Sequence, residues 1–464
     1  TVLVDAVNNL IVGDIDTASL KVTSESIALG NGSGGTVDGT IAQEYAGVAI
    51  GLNAGRTDQK NNSVAIGSGA GMTTQGQDSV AIGQSAGNTT QGDSAVAIGD
   101  GAGVSSQGNQ TVAIGDRAGQ TTQGTGAVAI GLMAGQTSQA GIAIGSSAGN
   151  TTQGEDAVAI GTGAGYNTQS TDAVAIGTGA GNTTQGAESV AIGSGAGSIT
   201  QGADAVAVGQ NAGNTSQGAQ SIAIGEKAGE TTQGDVAVAI GTQAGMTTQG
   251  LRAIAIGLQA AQITQANDAV AIGNGAGYNN QGQSAIAIGA VAGNVNQAAR
   301  SIVISAAGVA VNNTTADSLV ITPIRNAIGT TMLMYDATSG EVTHSGSIQE
   351  SFSTTNGATG VTALDCSTGN VHYLTAPAGD ITANFTNLNL TAEYATNVTV
   401  VIDQGGTECE ITAVQIGGVA QTIVWQGNSA PTGTANGVDS FSFTILNDGG
   451  TYVVLGQMVA FGGV

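Results

Sequence analysis

Ser63-Val-Ala-Ile-Gly-Ser-Gly-Ala-Gly71 decides the reading of this chain, because its core, Val-Ala-Ile-Gly at 64–67, also stands at 48–51, 80–83 and 96–99. The third residue of the tetrapeptide falls at Ile50, Ile66, Ile82, Ile98, Ile114 and Ile130, a strict step of sixteen. One step of fourteen leads to Ile144, and sixteen then resumes through Ile288, with Val208 the one substitution. An early copy, Ile27-Ala28-Leu29-Gly30, and a degenerate late one, Ile302-Val303-Ile304-Ser305, bound the series. Self-similarity at a fixed period is the mark of a stacked repeat architecture.

Val-Ala-Ile alternates with period two, which predicts a strand with Val and Ile on one face and Ala on the other. The following Gly suits a corner that needs positive φ or close packing. Four residues after each Ile comes an Ala, from Ala54 to Ala292, nearly always followed by Gly; Ala261 takes the Gly position in one copy. The expectation is a thin roll with the bulky Val and Ile inside and the flat Ala face turned towards other copies of the chain. A second constant position is Gln, at Gln75, Gln91, Gln107, Gln123, Gln153, Gln169, Gln185 and their equivalents. Stacked about 4.8 Å apart, such amides can donate to one neighbouring turn and accept from the other, so they read as a structural ladder at a turn.

Composition narrows the function. Gly makes up 77 of 464 residues, too few for collagen, and 41% of the chain is hydrophobic and ordered by the repeat, which argues against disorder. A net charge of −24 with eight Lys plus Arg leaves no basic stripe for nucleic acid or an anionic membrane surface. No apolar run approaches a transmembrane helix, so membrane insertion is not expected. Residue 1 is Thr and no secretory signal opens the sequence, which suggests either a piece of a longer product or a processed end. Cys366 and Cys409 match no zinc spacing; they read as buried thiols, with a single disulfide as the alternative.

The nonapeptide at 63–71 and its copy at 189–197 resemble the head repeat of YadA-like trimeric adhesins. The resemblance covers residues 27–305 and implies a left-handed parallel β-roll assembled as a homotrimer, with turns of sixteen rather than about fourteen residues. Downstream, Ser318–Asn326 and Met332–Ser345 resemble the neck of tailed-phage fibre proteins, and 372–464 is similar to terminal domains of virion structural proteins from marine cyanophages. No membrane barrel or coiled-coil stalk of a trimeric autotransporter is legible. The resemblance therefore implies a phage tail fibre or other virion appendage, located on the virion, with a cellular surface adhesin or extracellular filament subunit as the alternative. The implied partners are two further copies of the chain, other virion proteins, and a host cell-surface glycan or protein receptor.

The expected organisation is all-β. An N-terminal β segment for attachment (1–26) precedes the β-solenoid repeats (27–305). A neck with a hairpin (306–346) follows, with strands at Thr331–Tyr335 and Glu341–Ser345, and then a C-terminal antiparallel β-sandwich or jelly roll (347–464). No catalytic, cofactor or metal residues are expected. Gly-x-Ser-x-Gly occurs at 83–87 and 145–149, but other copies put Asn, Gly or Lys where the Ser stands. His344 and His372 read as structural. Asp93, Glu155, Asp156 and Glu188 scatter over variable turn positions, as a solvated edge does, rather than pairing for glycoside cleavage. Tyr373, Trp425 and Phe441 are candidate receptor contacts, with core packing as their other reading. Paired Thr residues such as Thr89-Thr90 raise ice binding, which the reading sets aside because neighbours on a strand point to opposite faces.

Overall fold

The computed structural model describes residues 2–4, 10–12, 27–29, 46–324, 332–336, 338–345, 350–367 and 369–462. It divides into two compact units, Thr1–Arg325 and Asn326–Val464.

The first unit is a parallel β-solenoid. Each Val-Ala-Ile is a three-residue strand paired in register with the same tripeptide one turn on, as in Val174↔Val190, Ala175↔Ala191 and Ile176↔Ile192. Nineteen such strands stack from Ile27–Leu29 to Leu319–Thr322. At the usual inter-strand spacing the stack is about 85 Å long. Opposite it, two-residue Thr-Gln strands such as Thr184–Gln185 form a second parallel ladder, again in register. The two-residue deletion before Ile142 leaves both ladders intact, since Val128↔Ile142 and Gln139↔Gln153 still pair.

The turn 174–189 shows how the sequence makes this shape. Its amides bond to neighbouring turns all the way round: Gly177 N to Ile160 O (2.8 Å), Gly179 N to Thr162 O (2.9 Å), Gly181 N to Ala196 O (2.9 Å) and Gly186 N to Gln201 O (2.9 Å). The backbone is thereby satisfied by stacking rather than by water. Gly177 has φ +126°, and a β-carbon there would lie 2.7 Å from Gly193 O, so only Gly lets consecutive corners touch.

The interior reverses the expected facing. Ala175, its equivalents in every full copy and the corner Ala (Ala180 in this turn) are fully buried, whereas the Ile residues are about as exposed as Ile176, at 36%, and the Val residues are half-buried. Except for Val303, the core cluster consists of Ala alone. Around Ala175 the bore has no room for a larger side chain, because a methyl on Gly181 would already lie 3.3 Å from the Ala175 Cβ. Burying Ala also freezes no side-chain rotamers, which suits a core with so little apolar area to gain.

The roll also runs past residue 305. After a longer insert, Leu319–Thr322 adds one more parallel strand in register with Ile302–Ser305. At the N-terminus, Val2–Val4 and Leu10–Val12 pair antiparallel.

In the second unit, Met332–Tyr335 and Val342–Ser345 form the expected antiparallel hairpin. Beyond it two sheets face each other across a core built from Leu364, Leu374, Ile381, Phe385, Val400, Phe441 and Phe443. Successive strands alternate between the sheets. Phe352–Asn356, Val371–Thr375 and Tyr394–Asp403 pair in parallel in the six-stranded sheet. Gly360–Asp365, Ile381–Thr386 and Ile411–Ile416 do the same in the four-stranded one. The long hairpin Val438–Asp448 and Thr451–Phe461 then adds antiparallel pairs to the first sheet. The sandwich is therefore mixed: its first half winds as a broad solenoid, and its second half adds antiparallel pairs, with Ile423–Trp425 parallel to the last strand at the edge of the first sheet.

Candidate interaction surfaces

Because Ala takes the inside, Val and Ile take the outside, and in-register stacking turns them into a continuous stripe. It runs from Leu29 (46% exposed) through Ile160, Ile176, Ile192 and Ile224 to Ile321. Two columns of side chains about 7 Å apart over the length of the stack make a patch on the order of 600 Å². An exposed apolar patch of that size stands at the upper end of what a monomer carries, which makes the stripe a candidate interaction surface.

The Gln column lies inside the roll. Gln185 is fully buried, and its Nε2 donates to Val174 O (2.7 Å) and Ser189 O (3.4 Å). The same two bonds recur in nearly every turn, for example Gln91 to Val80 O and Ala95 O, and Gln169 to Val158 O and Ala173 O. Gln75 and Gln107 keep the bond to the Val carbonyl. Each Gln thus ties the Thr-Gln ladder to the Val-Ala-Ile ladder within its own turn. Amide-to-amide bonds along the axis occur only in places, such as Gln123 to Gln139 (3.2 Å) and Gln153 to Gln169 (3.2 Å). Several Oε1 atoms, including those of Gln75, Gln91, Gln107, Gln123, Gln153 and Gln185, have no hydrogen-bond donor. That of Gln185 lies against Gly181, where a β-carbon would come within 2.5 Å of it.

The paired Thr residues do not point to opposite faces. Thr89 and Thr90 are both exposed, as are Thr121-Thr122 and Thr231-Thr232, because the first of each pair sits on a bend and not within the strand. Ser85 and Ser147, the centres of the two Gly-x-Ser-x-Gly matches, are corner residues with φ +54° and +56°.

In the second unit, Phe441 is fully buried and Trp425 half-buried, its ring 6.4 Å from that of Phe441 and 5.8 Å from that of Phe443. Tyr373 lies on the opposite, outer face of the six-stranded sheet. Its hydroxyl donates to Asp403 Oδ2 (3.1 Å), a bond that raises the phenol's pKa, and its ring meets Phe352 edge-on at 6.2 Å. The three candidate contacts therefore form no common platform. The outer face instead carries a groove of about 350 Å³ lined by Val424, Trp425, Ser442, Thr444, Leu455 and Gln457.

Cys366 and Cys409 are both free thiols. Burial, and secondarily the Asp365 carboxylate, push the Cys366 thiol up to about 11. His372 is fully buried, which lowers its pKa. The side chain of His344 lies outside the described residues. Among the described residues no helix is long and apolar enough to cross a membrane.

The fold and its surfaces define a β-solenoid scaffold with an attached two-sheet unit. Comparison with family models, curated proteins and solved structures finds no match to the chain.

Proposed function

We propose that the chain is the subunit of a homotrimeric fibre, a virion appendage of a tailed phage, in which three rolls pack their Val/Ile stripes together along a common axis. The observation that carries this reading is the unbroken stripe itself. A roll whose core is Ala buries little apolar area alone and gains most by covering the larger side chains on its outside. The roll then acts as a rigid spacer, and the second unit serves for host attachment or as a clamp on the trimer. The phage setting rests on the resemblance of the repeat, the neck and the terminal domain.

Light scattering on the native protein tests the assembly. Three copies of the 44.7 kDa chain give about 134 kDa, and a monomeric mass overturns the reading. Deleting 347–464 from a fibre that still trimerises should abolish adsorption to host cells; undiminished adsorption removes the attachment role from the second unit.

A further inference from the structure

We propose that the outer face of the six-stranded sheet is a contact between copies of the chain, through which the second units of the homotrimer pack against one another. The inference rests on the trimeric reading and adds the surface and its occupant. Strand pairing sets Phe352 beside Val371, Tyr373 beside Val401 and Val424 beside Leu455 on the side of the sheet away from the core. Phe352, Val424, Leu455, Val459 and Phe461 stand out from that face at 42–62% exposure. The four-stranded sheet instead turns Thr382, Asn384, Thr386 and Gln415 outward, with the exposed Val361 and Val419 confined to its two edge strands. A sandwich solvated on both sides carries polar residues on both outer faces. Here only one outer face follows that pattern.

Area, charge and hydrogen bonding identify the occupant. At about 3.3 Å per residue and about 4.8 Å between strands, the six strands cover roughly 700 Å². That approaches the roughly 800 Å² each partner buries in a stable protein–protein interface. Of the chain's 32 acidic residues, the outward positions of these strands carry two, Asp403 and Asp448, so a second copy of a chain with net charge −24 meets little repulsion there. Asp403 accepts from the Tyr373 hydroxyl (3.1 Å), Thr444 Oγ1 donates to Asn397 Oδ1 (2.7 Å), and Thr375 Oγ1 donates to Asn356 Oδ1 (3.3 Å). Polar groups already paired within a face cost less to bury under apolar surface, and they leave fewer free donors and acceptors for a sugar. The groove beside Leu455 gives the face relief in which a neighbour's side chain can seat. Tethering through the rolls raises the effective concentration of the second units, so a contact too weak to form between separate chains closes within the trimer.

The test is hydroxyl-radical footprinting of the full chain, normalised to the denatured chain and read together with the native mass. Val361 and Val419, 63% and 64% exposed on the other sheet, serve as internal standards. In the trimer, Phe352, Leu455, Val459 and Phe461 should react at least about fivefold more slowly than these, as half-exposed side chains do when they enter an interface core. Leu455→Glu combined with Val459→Glu should restore the reactivity of Phe352 and Phe461 while the Val/Ile stripe keeps the mass trimeric. A trimer in which both sheets react alike, or in which protection survives the double substitution, overturns the inference and leaves the trimeric reading standing. A monomer with an unprotected face overturns both. Protection that persists in a monomer means cover from within the chain and overturns the contact between copies.

Discussion

Gly177 and Gly179 lie two residues apart in one corner of the roll, yet adding a methyl group to them should have very different consequences. At Gly177, φ is +126° and the new β-carbon would sit 2.7 Å from the carbonyl oxygen and 2.8 Å from the carbonyl carbon of Gly193. Those are backbone atoms of the next turn, so relief requires the turns to part. Backbone strain of about 1–3 kcal/mol and overpacking of a similar about 1–3 kcal/mol make Gly177→Ala cost about 2–6 kcal/mol. At Gly179, φ is +65° and a β-carbon meets nothing within 4 Å. Gly179→Ala carries only the left-handed penalty of about 1–2 kcal/mol, partly offset by about 0.4–1 kcal/mol from stiffening the unfolded chain. Hydrogen exchange is the suitable assay, because a stacked array need not unfold as one unit. Gly177→Ala should accelerate exchange in the turns spanning 161–209 and leave those beyond 240 protected, while Gly179→Ala should leave the whole profile nearly unchanged. Equal acceleration by the two variants would refute the claim that turn-to-turn contact, and not positive φ alone, fixes this glycine.

Val236 occupies a left-handed corner at φ +59° with its side chain half exposed, a poor place for a β-branched residue. Val236→Asn should stabilise the roll by about 1 kcal/mol, read as a higher urea midpoint; a lower midpoint counts against the corner geometry. Exchanging Ile160, Ile176 and Ile192 together for Lys should abolish self-association while leaving the circular dichroism spectrum intact, because these side chains lie outside the roll. Ala175→Leu, one residue from Ile176, should instead destabilise the roll by at least about 1–3 kcal/mol. If the Lys variant unfolds and the Leu variant does not, the inside and outside of the roll have been exchanged.

Much of this architecture is legible in the residues. The sixteen-residue step set the strands at Val48–Ile50 and Val64–Ile66 and their register, because identical turns can hydrogen-bond all the way round only if they stack in phase. In the second unit, the apolar residues Ile381, Ala383 and Phe385 alternate along Ile381–Thr386, a pattern that marks a strand with one buried face. It did not show that Ile381–Thr386 pairs in parallel with Gly360–Asp365 rather than with its sequence neighbours, since alternation names a face and not a partner. The same limit hid the shared outer face of Phe352, Val424 and Val459, which three strands far apart in the sequence bring into one sheet.

The facing of the roll was the larger reversal. Alternation in Val-Ala-Ile separates two faces, and the ordinary preference for bulk inside chose the wrong one. A signal was present within the repeats themselves: the central Ala holds from Ala28 to Ala287, while its flanks exchange Val, Ile and Leu freely. An interior column admits one size, whereas a surface column needs only to be apolar. What the sequence determines alone is therefore the period, the strands, the glycine corners and the existence of two unlike faces, all of which follow from local chain geometry. Which face is the core is decided only in the tertiary structure, because the width of the bore is set by residues far apart in the turn. Once Gly181 and the Gln185 amide close across from Ala175, there is no room for the γ-carbons of Val or Ile.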